Sequence, residues 1–136
     1  MRFSVLMLLT ILICGSAYGQ SQFLLQPGNS DVALPAALIG TWGSAEQCAA
    51  HRAGDIRNPA LFPYEIAGTW IRQGSIYCFL LVQNNQASDG DILVYASARC
   101  GEDDIRDYQL SLKLNADSLQ IRWSSDFTTR PLEACR

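Results

Sequence analysis

The chain has one histidine, His51, and one lysine, Lys113, in 136 residues. A lone histidine three positions after Cys48 has no evident nucleophile to activate, and a Cys–His dyad is excluded if Cys48 is oxidised. There is no C-x-x-C pair, which excludes that metal and redox pattern. There is no G-x-S-x-G, H-E-x-x-H or phosphate-loop motif, so no hydrolase, zinc-protease or nucleotide signature. No Asn-x-Ser/Thr sequon occurs. The basic residues, 10 against 13 acidic, are nearly all arginine and lie scattered. No basic stripe marks a nucleic-acid surface. The densest acidic stretch, Gly101 to Asp104 with Asp107 behind it, lacks the spacing of a calcium loop and reads as a hairpin turn. No catalytic residue, metal ligand or cofactor is assigned, and the expectation is a protein that is not an enzyme.

What is present begins with an export signal. Met1-Arg2 supplies one positive charge, Phe3 to Cys14 is an apolar run, and Ala17-Tyr18-Gly19 is a small-x-small cleavage site. The run is too short to span a bilayer. Residues 1–19 are therefore expected to be a signal peptide, leaving 117 residues (136 less 19) without another long apolar run. Cys14 raises lipidation as an alternative, but Ile13 stands where a lipobox has a small residue. The predicted location is the periplasm or the exterior.

Four cysteines remain after Gly19: Cys48, Cys78, Cys100 and Cys135. An even number in a small exported chain implies two disulfides. From Ile76 onward, apolar and polar residues alternate in segments of about 76–83, 91–99, 105–114 and 118–124, followed by a short one at 129–134. Turn formers separate them. Pairing 105–114 with 118–124 sets Leu114, Leu112 and Leu110 opposite Leu119, Ile121 and Trp123. Pairing 91–99 with 105–114 sets Ile92, Val94 and Ala96 opposite Leu112, Leu110 and Tyr108. Both registers give one dry face and one wet face. In the preceding hairpin, a turn near Ser88-Asp89 places Cys78 opposite Cys100. Of three possible connectivities, this one leaves Cys48 to pair with Cys135.

Upstream, Leu38 to Trp42 and Glu65 to Arg72, bent at Gly68, read as strands. Ser44-x-x-Gln47 is a capping box opening a helix near residues 45–53, closed by Gly54. The expected fold is mainly β: a small antiparallel up-and-down barrel or curled meander of about seven strands with one short helix. Residues 20–36 form an N-terminal arm and 37–136 the disulfide-bonded barrel. Gly-Thr-Trp occurs twice, at Trp42 and Trp70. A helix follows one copy and a hairpin turn the other, so the repeat reads as two similar strands, not a duplication. Trp42, Trp70 and Trp123 are the expected barrel-closing residues.

The strand 76–83 is apolar on both faces. With Cys78, Leu80 and Val82 inward, Tyr77, Phe79 and Leu81 face out beside Tyr95. Such a patch is covered either from within the chain, by the arm around Phe23 to Leu25 or the Phe62-Pro63-Tyr64 loop, or by a partner or second copy. Gly40-x-Trp42 near the start of an exported all-β domain resembles the first strand of lipocalins and other calycins, and Gly-Thr-Trp resembles that of avidins. The lipocalin resemblance implies an arginine packed over the Trp, for which Arg122 and Arg130 are candidates. No biotin site can be placed. The plan is also similar to the small periplasmic inhibitors of secreted metalloproteases in Gram-negative bacteria, which implies inhibition through an extended arm. The expected function is therefore binding of a protein partner, as an inhibitor, through Phe23, Leu24 and Leu25 of the arm and the patch of Tyr77, Phe79, Leu81 and Tyr95. The alternative is a carrier for a small apolar ligand in a cavity lined by Trp42, Trp70 and Trp123, with Ala96 and Ala98 leaving room.

Overall fold

Alternation of side chains across each strand determines the architecture. The computed structural model describes residues 33–124 and 126–136. Eight strands follow in chain order: β1 (Gly40–Gly43), β2 (Tyr64–Ala67), β3 (Trp70–Gln73), β4 (Ile76–Ser88), β5 (Asp91–Cys100), β6 (Arg106–Asn115), β7 (Ser118–Trp123) and β8 (Leu132–Ala134). Each pairs antiparallel with the next, and β8 returns to β1, so the sheet closes into a barrel. Closure removes the open edges that a meander would leave.

The interior is filled. Val94, Ala96, Ala98, Leu112, Leu119 and Ile121 have no exposed surface. Burying each large aliphatic side chain contributes about 1.5–3 kcal/mol. Ala96 and Ala98 face Leu110 and Tyr108 across the β5–β6 ladder. Small residues opposite large ones are how a narrow barrel packs its axis. One end is plugged by Leu34 and Leu38, both buried, from the segment that leads through a 3-10 turn (Ala36–Leu38) into β1. Leu34 thus belongs to the core, although the sequence reading placed it in the arm.

Three details differ from the sequence reading. The segment read as one strand bent at Gly68 is a hairpin, with β2 and β3 joined by a two-residue turn. That splitting accounts for the eighth strand. The β5–β6 ladder is offset by two residues, pairing Ile92, Val94 and Ala96 with Leu114, Leu112 and Leu110. The cause is the connecting loop: Cys100 faces Arg106, and five residues turn between them. Gly101 opens that loop at φ +97, where an added Cβ would lie 2.4 Å from the Asp104 carbonyl oxygen, so only glycine fits there. In the β4–β5 hairpin the turn residues are Asp89 and Gly90, both at positive φ, the pattern of a type I′ turn. A bulge between Val82 and Asn84 shifts the register by one residue, and Cys78 then faces Cys100.

Helix α1 (Ala45–Arg52) is held locally and covalently. The Ser44 backbone N–H donates to Gln47 Oε1 at 2.9 Å, and the Gln47 N–H donates to Ser44 Oγ at 3.1 Å. Its only buried residue is Cys48, which is bonded to Cys135 in the segment after β8. The second bridge joins Cys78 to Cys100. Replacing Ser44 with alanine removes one half of the capping box and is expected to lower stability by about 0.5–2 kcal/mol. Denaturant unfolding of the oxidised protein measures it.

Candidate functional site

Two features stand apart from the packed core: an apolar strip on the outer wall and a cleft at the unplugged end. The strip arises because β4 is apolar on both faces. Cys78 and Val82 point inward and are buried, while Phe79 and Leu81 are 61% and 51% exposed. On the neighbouring strand Ile71 points inward at 1% exposure, which turns Trp70 and Arg72 outward. Trp70 therefore does not close the barrel, as its sequence resemblance to Trp42 implied. It lies opposite Phe79 in the β3–β4 ladder.

The outward aromatics pack on each other. The Trp70 and Tyr77 ring centroids are 5.5 Å apart, and Tyr77 meets Phe79 edge-on at 5.0 Å. The Arg72 guanidinium sits 5.7 Å from the Trp70 ring centroid while bonding the Glu65 carboxylate. This is the cation–aromatic contact found among the described residues. Arg122 and Arg130, the candidates for packing over Trp42, are both exposed. Tyr95, 44% exposed, shares the outer wall. Between it and Leu81 lies a polar ladder in which Gln83 and Gln109 both donate to Ser97 Oγ, at 2.8 and 3.0 Å. Thus the structure brings Tyr77, Phe79 and Leu81 together with Trp70 and sets Tyr95 at the strip's far side. Phe23, Leu24 and Leu25 lie outside the described residues.

Charge borders the strip. Arg99, opposite Phe79, bonds Asp107 through Nε at 2.9 Å. The hydrogen bond holds the Asp107 carboxyl below its usual range and pushes the arginine up. Asp104 is likewise engaged by Arg106 at 2.6 Å. The acidic stretch therefore works as a turn braced by arginines. Among the described residues no cluster of three or more potential metal ligands forms.

Trp42 and Trp123 occupy opposite environments. Trp42 is 5% exposed, and its indole N–H donates to the Leu38 carbonyl at 3.0 Å, so it locks the plug segment to the core. Trp123 is half-buried and packs edge-on against Tyr108 at 5.9 Å. Together with Tyr64, Gln73, Ile76 and the Cys78–Cys100 bridge, these two line a cleft of about 290 Å³. Tyr64 is 7% exposed, and burial alone pushes its phenol above the ordinary value of 10.0. Sequence reading missed Tyr64, Gln73 and Ile76 as a group. The only signal for them was parity along β2 and β3, which is visible only once those strands are separated.

No family model matches the chain, and comparisons with curated proteins and with solved structures return no significant match.

Proposed function

We propose that this chain is an exported barrel that binds a protein partner through the outer wall of β3 and β4, acting as an inhibitor. The observation that carries this reading is the contiguous outward row of half-buried Trp70 and Tyr77 with exposed Phe79 and Leu81. Aromatic residues in such a row are efficient interface anchors, because each buries a large area with few rotamers to freeze. The Arg72–Glu65 and Arg99–Asp107 pairs flank the row and supply the polar rim that interfaces commonly have. The export half of the proposal rests on the apolar N-terminal run and on the two disulfides, which persist in oxidising compartments. Among the described residues, no helix is long and apolar enough to cross a membrane.

Phe79→Ser with Leu81→Ser tests the reading. Both side chains are exposed, so stability is expected to stay within about 1 kcal/mol of the parent. Partner affinity is expected to fall by tenfold or more, the loss typical of a hot spot. Unchanged affinity would remove the outer wall from the proposal. The inhibitor part depends on the arm: deleting residues 20–30 should leave the barrel folded and abolish capture. If that deletion unfolds the protein, the arm is structural and the inhibitor reading fails.

The second reading, a carrier for a small ligand, is favoured by one observation, the cleft at the mouth. A central cavity lined by Trp42, Trp70 and Trp123 is not available, because these three indoles lie at the plugged end, on the outer wall and at the mouth.

A further inference from the structure

We infer that the mouth cleft is a binding site for a small, flat aromatic molecule carrying a hydrogen-bond acceptor. This deepens the small-ligand reading and is independent of the outer wall. Four observations carry it.

The first is shape. About 290 Å³ is just below the ~300–1,000 Å³ common for ligand pockets, room for one or two rings.

The second is lining. Tyr108 and Trp123 stand edge-on to one another on one wall, Ile76 forms the rim at 61% exposure, and the Cys78–Cys100 bridge joins the lining. Aromatic faces and polarisable sulfur favour a flat π-system.

The third observation is polar. Tyr64 is more than nine-tenths buried, and among the described residues its hydroxyl meets neither a hydrogen bond nor a charge; burial is the sole influence on its ionisation. Yet no fully enclosed side-chain polar atom lacks a partner among those residues. The phenol oxygen therefore keeps a small opening, and the cleft is the space that Tyr64 lines. A buried donor that has no partner among the described residues is costly unless something accepts from it. The protonated phenol offers its O–H to an acceptor in the cleft.

The fourth is rigidity. Gln73 donates through Nε2 to the Phe62 carbonyl at 3.1 Å, which fixes its amide. Tyr64 and Gln73 face each other across the β2–β3 ladder. Gly74 beside them sits at φ +60 with the Phe62 ring 2.4 Å from where a Cβ would be. The loop before β2 and the β3–β4 turn are thus packed together at this wall, and a preformed wall reduces the ordering cost of binding.

Quinoline and naphthalene are the test pair, since they share size and shape and only quinoline carries an acceptor. The oxidised, ¹⁵N-labelled chain is titrated with each while backbone and indole resonances are followed. Quinoline is expected to move the Trp123 indole N–H and the Ile76 and Cys100 amides. Tyr64→Phe keeps the ring and removes the donor, and should weaken quinoline about three- to tenfold while leaving naphthalene unchanged. Ile76→Trp, at an exposed rim position, should occlude the cleft and weaken both. Three results would overturn the inference: no shifts at millimolar quinoline, shifts confined to Trp70, Tyr77 and Phe79, or equal quinoline affinity in the parent and Tyr64→Phe. None of them touches the outer-wall proposal, which is read by partner affinity.

Discussion

Replacing Cys48 and Cys135 together with alanine is expected to lower stability by about 4–5 kcal/mol. The bridge spans 87 residues, and in the chain-entropy picture closing so long a loop restricts the unfolded chain more than closing a short one. The Cys78–Cys100 bridge, with a separation of 22, should contribute about 3 kcal/mol on the same reasoning. The order of the two is the informative part. If it holds, the unfolded-state effect dominates. The long bridge has a second consequence in the folded state. Cys48 is the sole buried residue of α1, so without it the helix keeps its capping box but loses its anchor to the barrel. Hydrogen exchange in the variant should accelerate first in α1, while the β5–β6–β7 amides stay protected. Urea unfolding of the two double variants gives the energies. A loss under 1 kcal/mol for the Cys48–Cys135 variant would contradict this assignment.

Trp42→Ala is expected to cost about 3–5 kcal/mol, and Trp70→Ala much less. The two residues sit in identical Gly-Thr-Trp triplets, so sequence context alone gives no reason for a difference. Their environments do. Trp42 is 5% exposed, and removing it opens a cavity beneath Leu34 and Leu38 and strips the Leu38 carbonyl of its donor. Trp42→Phe should recover most of the packing and leave a deficit of about 1–2 kcal/mol, including the lost hydrogen bond. Trp70 stacks on the outer wall, where truncation removes ring contacts but opens nothing inside. Thermal or urea unfolding of the three variants checks this ranking. Equal losses at Trp42 and Trp70 would mean that the outer strip supports the fold, which would weaken it as a binding surface.

The contrast between these tryptophans also marks how far sequence reasoning reaches. Faces were legible: wherever strict alternation ran for several residues, as from Ile92 to Ala98 or from Leu110 to Leu114, the inward set came out right. The β6–β7 register was legible as well, because a short turn leaves one arrangement. The β5–β6 register was not, since a slip of two residues returns every side chain to the same face, and the loop from Gly101 to Ile105 decides it. The disulfide pairing could be read, but for a reason only partly seen. The Asp89-Gly90 turn by itself would set Cys78 opposite Gly101, and the bulge at Gln83 brings Cys100 into place. Nothing in the local composition announces that bulge.

Trp70 was misplaced because one bent strand and a tight hairpin over residues 64–73 share the same apolar residues. Once the chain turns at Gly68 and Thr69, Ile66 and Ile71 become inward partners across the ladder, and Trp70 must face out. The strip on β4 was visible from sequence because two apolar faces on one strand are unusual. The mouth cleft was not, since it joins residues from β2, β3, β4, β5, β6 and β7 that only folding of the barrel brings together.

The binding proposal stands or falls on the outer wall of β3 and β4. A photo-reactive phenylalanine placed at position 79, and separately at position 113 on the outward side of β6, compares that wall with another part of the barrel exterior. Irradiation in the native exported fraction is expected to give one discrete protein adduct from position 79, lost when Leu81 is also changed to serine, and none from position 113. No adduct from position 79, or equal adducts from both, would contradict recognition through this face.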